Sequence, residues 1–148
     1  MFELGAYFPA YRGADYGKDV GVAGAFGYSF IEKGDFSGNV QIRSELHAVL
    51  SGGGDQVNDN QNLATDFDLT ITSAYLNVRH RHHGTGLFTG LGIGVGRASL
   101  DGGNDHTNLL VAAEIGYSIS PQVYVVGRYQ TASADVFRGT IVGIGFRF

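Results

Sequence analysis

Apolar residues recur at every second position through most of this chain, and the intervening positions carry a different set of side chains. Between 36 and 50 one parity reads Val40, Ile42, Ser44, Leu46, Ala48 and Leu50, and the other reads Asn39, Gln41, Arg43, Glu45, His47 and Val49. A period of two places alternate residues on one face of a strand. No comparable 3.6-residue pattern runs for the length of a helix. Turn signals rich in Gly, Asn and Asp divide the chain into eight such segments, predicted as strands at roughly 2–11, 19–30, 36–50, 67–80, 87–99, 109–119, 123–132 and 139–148. The connections alternate in length. Those at 31–35, 81–86 and 120–122 are short, those at 51–66 and 100–108 are long, and 12–18 and 133–138 lie between. With an even number of strands, every short turn falls at one end and the longer loops fall at the other, as in transmembrane barrels.

The faces of these strands are unequal in a consistent direction. Val20, Val22, Phe26, Tyr28 and Phe30 oppose Gly21, Ala23, Ala25, Gly27 and Ser29. Leu109, Val111, Ala113, Ile115, Tyr117 and Ile119 oppose Leu110, Ala112, Glu114, Gly116 and Ser118. Val123, Val125 and Tyr129 oppose Tyr124, Val126, Arg128 and Gln130, and Val142, Ile144, Phe146 and Phe148 oppose Gly143, Gly145 and Arg147. A soluble barrel fills its interior with bulky apolar side chains. Here that choice would leave an outer surface of glycine and alanine where Lys and Glu belong. The reverse assignment turns the apolar face outward to lipid and leaves Glu3, Arg43, Glu45, Arg79, Glu114, Arg128 and Arg147 inside, where three acids and four arginines are near enough to balance to pair. Arg43, Glu45, Glu114 and Arg128 are the expected centre of that lumen network. The fourth segment fits least well, because Thr70, Thr72, Ala74, Leu76 and Val78 outward send Leu69 and Ile71 inward. A β-bulge near Ser73 would resolve the conflict. Phe2, Phe8, Tyr11, Phe30, Phe36, Tyr117, Tyr129, Phe146 and Phe148 fall near strand ends, where aromatic girdles sit.

Composition narrows the class further. The 148 residues include 24 glycines, against a usual share of about 7%. They show no three-residue period and accompany only two prolines, which excludes collagen. A hydrophobic content of 43% excludes disorder. One domain spanning 1–148 is expected. No apolar run is long enough for a membrane helix, but a barrel of alternating strands averages to neutral hydropathy, as the mean hydropathy of −0.01 does here. An exported chain would have lost its signal, with Met1 in its place. The absence of cysteine removes disulfides and thiol chemistry, and a net charge of −4 argues against a nucleic-acid partner.

The ending Thr140-Ile-Val-Gly-Ile-Gly-Phe-Arg-Phe148 resembles the C-terminal signature of bacterial outer-membrane proteins, with Val142, Ile144, Phe146 and Phe148 in the positions that the resemblance assigns to recognition by the barrel-assembly machinery. The chain as a whole resembles the small eight-stranded outer-membrane barrels, the outer-membrane protein X, neisserial surface protein A and OmpA membrane-domain type. Gly94-Val-Gly-Arg-Ala-Ser-Leu-Asp-Gly-Gly103 and the Ile119-Ser-Pro121 turn are most similar to the neisserial member. The resemblance implies an all-β, antiparallel, up-and-down barrel in the bacterial outer membrane. It also implies a monomer with both termini periplasmic and four external loops, in contact with outer-membrane lipid and lipopolysaccharide. Its work would be envelope integrity, adhesion or contact with an external ligand or host surface. A narrow pore is the alternative, and a soluble lipocalin-like binder is a third reading.

No cofactor is expected, and catalysis is disfavoured. Lipid A deacylase barrels carry a Ser-His-Glu set with His and Ser two residues apart on a late strand. The comparable stretch here, Tyr129-Gln-Thr-Ala-Ser133, has no histidine to activate the serine. The amphipathic helix that begins the palmitoyltransferase barrel is also lacking. His80-Arg-His-His83 suits a solvated turn better than a metal site, His47 beside Glu45 reads as a hydrogen-bonded interior group, and the Asp/Asn-rich stretch 52–60 lacks the spaced Glu of an EF-hand. The long-loop end is acidic, with Asp15, Asp19, Asp55, Asp59, Asp66, Asp68, Asp101, Asp105 and Asp135 against Arg12, Lys18, Arg97 and Arg138. Within that set, Asp15, Asp19, Asp55, Asp59, Asp101 and Asp105 are the expected rim for divalent cations bridging to lipopolysaccharide phosphates, since hard cations prefer carboxylate oxygens.

Overall fold

A computed structural model describes residues 1–10, 20–49, 67–100 and 105–148. Eight strands run in chain order: β1 Phe2–Pro9, β2 Gly21–Lys33, β3 Phe36–Val49, β4 Phe67–Arg81, β5 Leu87–Leu100, β6 His106–Ser118, β7 Val123–Ala132 and β8 Gly139–Phe146. Each pairs antiparallel with its neighbours in sequence, and β1 pairs with β8 through Phe2↔Phe146 to Pro9↔Gly139, which closes the barrel and leaves no free edge. The only helical piece among the described residues is a 3₁₀ turn at Asp135–Phe137.

Local chemistry accounts for the tight end. Gly34, in the β2–β3 turn, and Gly84 and Gly86, in the β4–β5 turn, hold positive φ of 59°, 76° and 72°, a region that side chains with a Cβ disfavour. The β2–β3 hairpin is longer than the pattern predicts, continuing to the pair Lys33↔Phe36, so that the turn shrinks to Gly34 and Asp35. The register shifts between Ser29 and Ile31, leaving Phe30 as the extra residue with its ring lying over Gly38. This bulge breaks the strict alternation there, so that Phe30 and Ile31 are both exposed.

The fourth strand corrects a sequence expectation. No bulge occurs at Ser73, because β4 pairs with β3 without interruption from Phe36↔His80 to Val49↔Phe67. Ile71 points inward, opposite the buried Glu45 across the β3–β4 pair. It joins Tyr75, Ala98, Leu110, Ala112 and Phe137 in one buried cluster.

Alternation of exposure confirms the inverted faces. From Ile71 to Arg79 every odd residue is buried, and every even residue from Thr72 to Val78 is exposed. The outward set includes Ile42 at 60%, Leu91 at 68%, Leu109 at 58% and Val142 at 53% exposure. A continuous apolar surface of this extent is far larger than water-soluble monomers present. The inward set holds Glu3, Gln41, Arg43, Glu45, Asn77, Arg79, Glu114, Arg128 and Gln130, all buried.

The inward glycines have a specific task. Gly27 faces Gln41 across the β2–β3 pair, Gly90 faces Glu114, Gly92 faces Asn77, Gly94 faces Tyr75, Gly116 faces Phe88 and Gly145 faces Tyr124. In every case the facing side chain lies in the space that a Cβ on the glycine would occupy. Large polar and aromatic side chains thus fold flat against the wall of the neighbouring strand. An eight-stranded barrel is just wide enough for side chains to fill, and glycine at the crossing points makes room for arginine and tyrosine there.

Candidate functional site

Four strands deliver the central cluster. Glu3 comes from β1, Arg79 from β4, Glu114 from β6 and Arg128 from β7. Pairing of Glu114 with Arg128 on adjacent strands sets those two side by side. Arg79 Nη2 donates to Glu3 Oε1 at 2.8 Å, and Arg79 Nε donates to Glu114 Oε1. Arg128 Nη1 donates to Glu3 Oε2 at 2.9 Å, and its Nη2 donates to Glu114 Oε2 at 2.7 Å. Two carboxylates and two guanidiniums therefore form a closed ring of ion pairs across the lumen. Glu3 also accepts from Tyr124 Oη at 2.7 Å and Gln41 Nε2 at 3.1 Å. Such satisfaction is what makes buried charge tolerable.

The expected network is thus partly redrawn. Arg43 and Glu45 form no ion pair with each other or with the ring. They are neighbours of one parity on β3; Arg43 is met by amides and an aromatic face, and Glu45 by an amide. Arg43 donates to Gln41 Oε1 at 2.8 Å and Asn77 Oδ1 at 3.3 Å, with its guanidinium 3.9 Å from the Tyr75 ring centroid. Glu45 accepts from Gln130 Nε2 at 2.8 Å. Arg147 lies outside the ring at the short-turn mouth, stacked 4.6 Å from the Tyr124 centroid and donating to Ser118 Oγ at 3.3 Å. Gln41, Gln130 and Tyr124 were legible as inward residues, whereas Asn77 lies on the fourth segment, whose register the pattern left open, and nothing in the sequence marked any of them as the groups that complete the network. Among the described residues the buried charges, Glu3, Glu45 and Glu114 against Arg43, Arg79 and Arg128, balance three to three.

Both ends of the lumen are stopped by aromatic side chains. At the short-turn end Phe88 and Tyr124 meet edge to face at 5.6 Å. At the other end the 3₁₀ turn drops Phe137 into the mouth, fully buried against Leu110 and beside Gly96.

The remaining candidates are placed as follows. Val142, Ile144, Phe146 and Phe148 all project outward. Asp105 accepts from Arg97, which holds its carboxyl below the usual carboxylate range. Asp15, Asp19, Asp55, Asp59, Asp66 and Asp101, the 52–60 stretch and Tyr11 lie outside the described residues, as does the side chain of His47. Ser133 donates to Asn108 Oδ1 at 3.0 Å, so its partner is an amide and not an imidazole. His82 Nε2 lies 3.2 Å from Thr89 Oγ1, and among the described residues no three potential metal ligands converge.

The closed eight-stranded ring, the apolar exterior and the charged, glycine-floored interior together define the fold of the small outer-membrane β-barrels. Among solved structures, the Yersinia pestis outer membrane protein Ail in a phospholipid bilayer nanodisc matches with a TM-score of 0.64 and 16% identity, over 99% of this chain and 97% of that one. A crystal structure of Ail, the attachment invasion locus protein, matches with a TM-score of 0.62 and 20% identity over 99% and 96%. Neisserial surface protein A matches with a TM-score of 0.52 and 17% identity over 99% and 96%. No family model and no curated protein matches the chain.

Proposed function

We propose that this chain is a bacterial outer-membrane barrel that works through its external loops and is neither an enzyme nor an open channel. The observation that carries this reading is the pairing of an apolar exterior with a lumen closed by the Glu3–Arg79–Glu114–Arg128 ring. Such a body sits in a bilayer, passes nothing through its centre, and leaves its longer loops as the surface for contact. The short turns and both termini are periplasmic, and the barrel is a monomer. Val142, Ile144, Phe146 and Phe148 serve as the signal for the barrel-assembly machinery. Planar-bilayer recording tests the closed lumen against the pore alternative. Purified barrel is expected to give no discrete conductance steps in 1 M salt, and regular steps would overturn the reading.

The external ligand follows from charge. An Ail structure is described in complex with the heparin analogue sucrose octasulfate, a polyanion. The external segments here carry Asp15, Asp19, Asp55, Asp59, Asp66, Asp101, Asp105 and Asp135 against Arg12, Lys18 and Arg138, a balance that repels a polyanion. Divalent cations bridging the acidic rim to lipopolysaccharide phosphates reconcile the two, with Asp105 the weakest contributor because Arg97 already engages it. Calcium or magnesium is expected to raise the unfolding temperature and lipopolysaccharide retention of the detergent-solubilised barrel. An unchanged temperature and unchanged retention would count against the rim.

A further inference from the structure

At the short-turn end, a recess of about 450 Å³ opens beyond the Phe88–Tyr124 stopper, lined by the β4–β5 turn, the β6–β7 turn and Arg147. Its walls are preformed. Ser118 N donates to Gly86 O at 2.8 Å, which ties the two turns together, and Arg147 N donates to Gln122 O at 2.7 Å. Thr85 Oγ1 donates to His82 O at 2.9 Å and closes the first turn on itself. A Cβ at Gly86 would press on the Ser118 carbonyl and the Tyr117 ring, so the close approach requires glycine.

The donors facing this recess are in excess. Arg79, just behind the stopper, is saturated by Glu3 and Glu114. Arg147 has no carboxylate partner among the described residues. Its guanidinium stacks on Tyr124 and spends one N–H on Ser118, which leaves the other edge free. Arg81 reaches only Glu32, at 3.6 Å with both side chains solvent-exposed, a contact worth little. Ser118 Oγ accepts from Arg147, and Ser120 Oγ accepts from Val123 N at 3.0 Å, so each hydroxyl retains its own hydrogen to donate. His82, His83 and the carboxylate of Asp35 also line the recess.

Two guanidiniums and two hydroxyl donors around a recess, opposed by Asp35 in its lining and by Glu32 beside Arg81, make a receptor for an oxyanion. We infer that the recess framed by Arg81, Arg147, Ser118 and Ser120 binds a phosphate ester, with the phosphoryl oxygens between the two arginines. The geometry favours an ester over a bare ion, because the volume falls within the range of small-molecule pockets and exceeds what one phosphate fills. Arginine presents a planar fork suited to phosphoryl oxygens. The ester has two possible sources, a lipid headgroup or a free phosphate ester.

Amide NMR of the folded barrel separates them. In phosphate-free maltoside micelles, glycerol phosphate is expected to shift Thr85, Gly86, Ser118, Ser120 and Arg147 saturably. Arg81→Gln and Arg147→Gln each weaken binding about tenfold, the double variant abolishes it, and Arg147→Lys retains it in part. Ser118→Ala, which keeps both guanidiniums, costs several-fold. Heat-modifiable gel migration of every variant verifies folding. In nanodiscs, the same shifts in phosphatidylglycerol but not phosphatidylcholine bilayers without added ester identify the lipid as the source, and shifts that need glycerol phosphate identify the free ester. Non-saturable shifts, or shifts unchanged in the double glutamine variant, overturn the proposal.

Discussion

Glu114→Ala is expected to destabilise the barrel by about 3–5 kcal/mol, the cost of removing one member of a buried ion-pair cluster, read as a lowered urea midpoint for unfolding from lipid vesicles. The size of the effect follows from what stays behind. Glu114 accepts from both Arg79 and Arg128, so its loss leaves two buried guanidiniums to share Glu3. It also empties the space over Gly90 that the side chain now fills. Both arginines are almost wholly buried, with Phe88 and Tyr124 on one side of the lumen and the Phe137 cluster on the other. Removing the opposing charge as well restores neutrality, so Arg79→Met combined with Glu114→Leu is expected to recover most of the loss. A single-variant loss below about 1 kcal/mol, the value typical of exposed pairs, would mean that water reaches the ring and that the lumen is open.

The second large effect lies on the opposite face of the same strands. Ile93→Arg is expected to cost about 2–4 kcal/mol, the price of a charge at the bilayer midplane, in refolding equilibria in vesicles. Leu76, Ile93 and Val111 form a level row across β4, β5 and β6, midway along the strands, and all are exposed. Ile31→Arg, beyond the Phe30 bulge near the tight end, is expected to cost about 0–1 kcal/mol, since the penalty falls towards the interface. That contrast in depth is the measurement. Equal and small costs at Ile93 and Ile31 would show that the belt faces water, and the membrane reading would fail with it.

Much of this architecture could be read from alternation alone, because a strand has only two faces and a membrane barrel makes them chemically opposite. The strand count, the antiparallel order, the short and long ends and the outward apolar face all follow from period two with turn residues between. Inward placement of Glu3, Arg43, Glu45, Arg79, Glu114 and Arg128 follows equally. Strand limits were less legible near Phe30. A bulge changes parity within a single residue, and a sequence with apolar side chains on both sides of that residue carries no mark of the change.

Partner choice inside the lumen was not legible. Glu3 meets Arg128 across 125 positions of sequence and Arg79 across 76, and such meetings depend on closure of β1 on β8 and on the stagger between strands. Alternation sets which face a side chain takes, but not its height in the barrel. Height is what separates Arg43 and Glu45, which find amides and the Tyr75 ring, from the four charges that form the ring. It also decides that Ile71 has apolar company, that Phe137 returns from a loop to seal the mouth, and that Arg147 stays below the stopper without a carboxylate partner among the described residues. The pattern along the chain shows which residues face inward; closure of the sheet assigns their neighbours, because cross-strand contact in a barrel is a property of register and circumference.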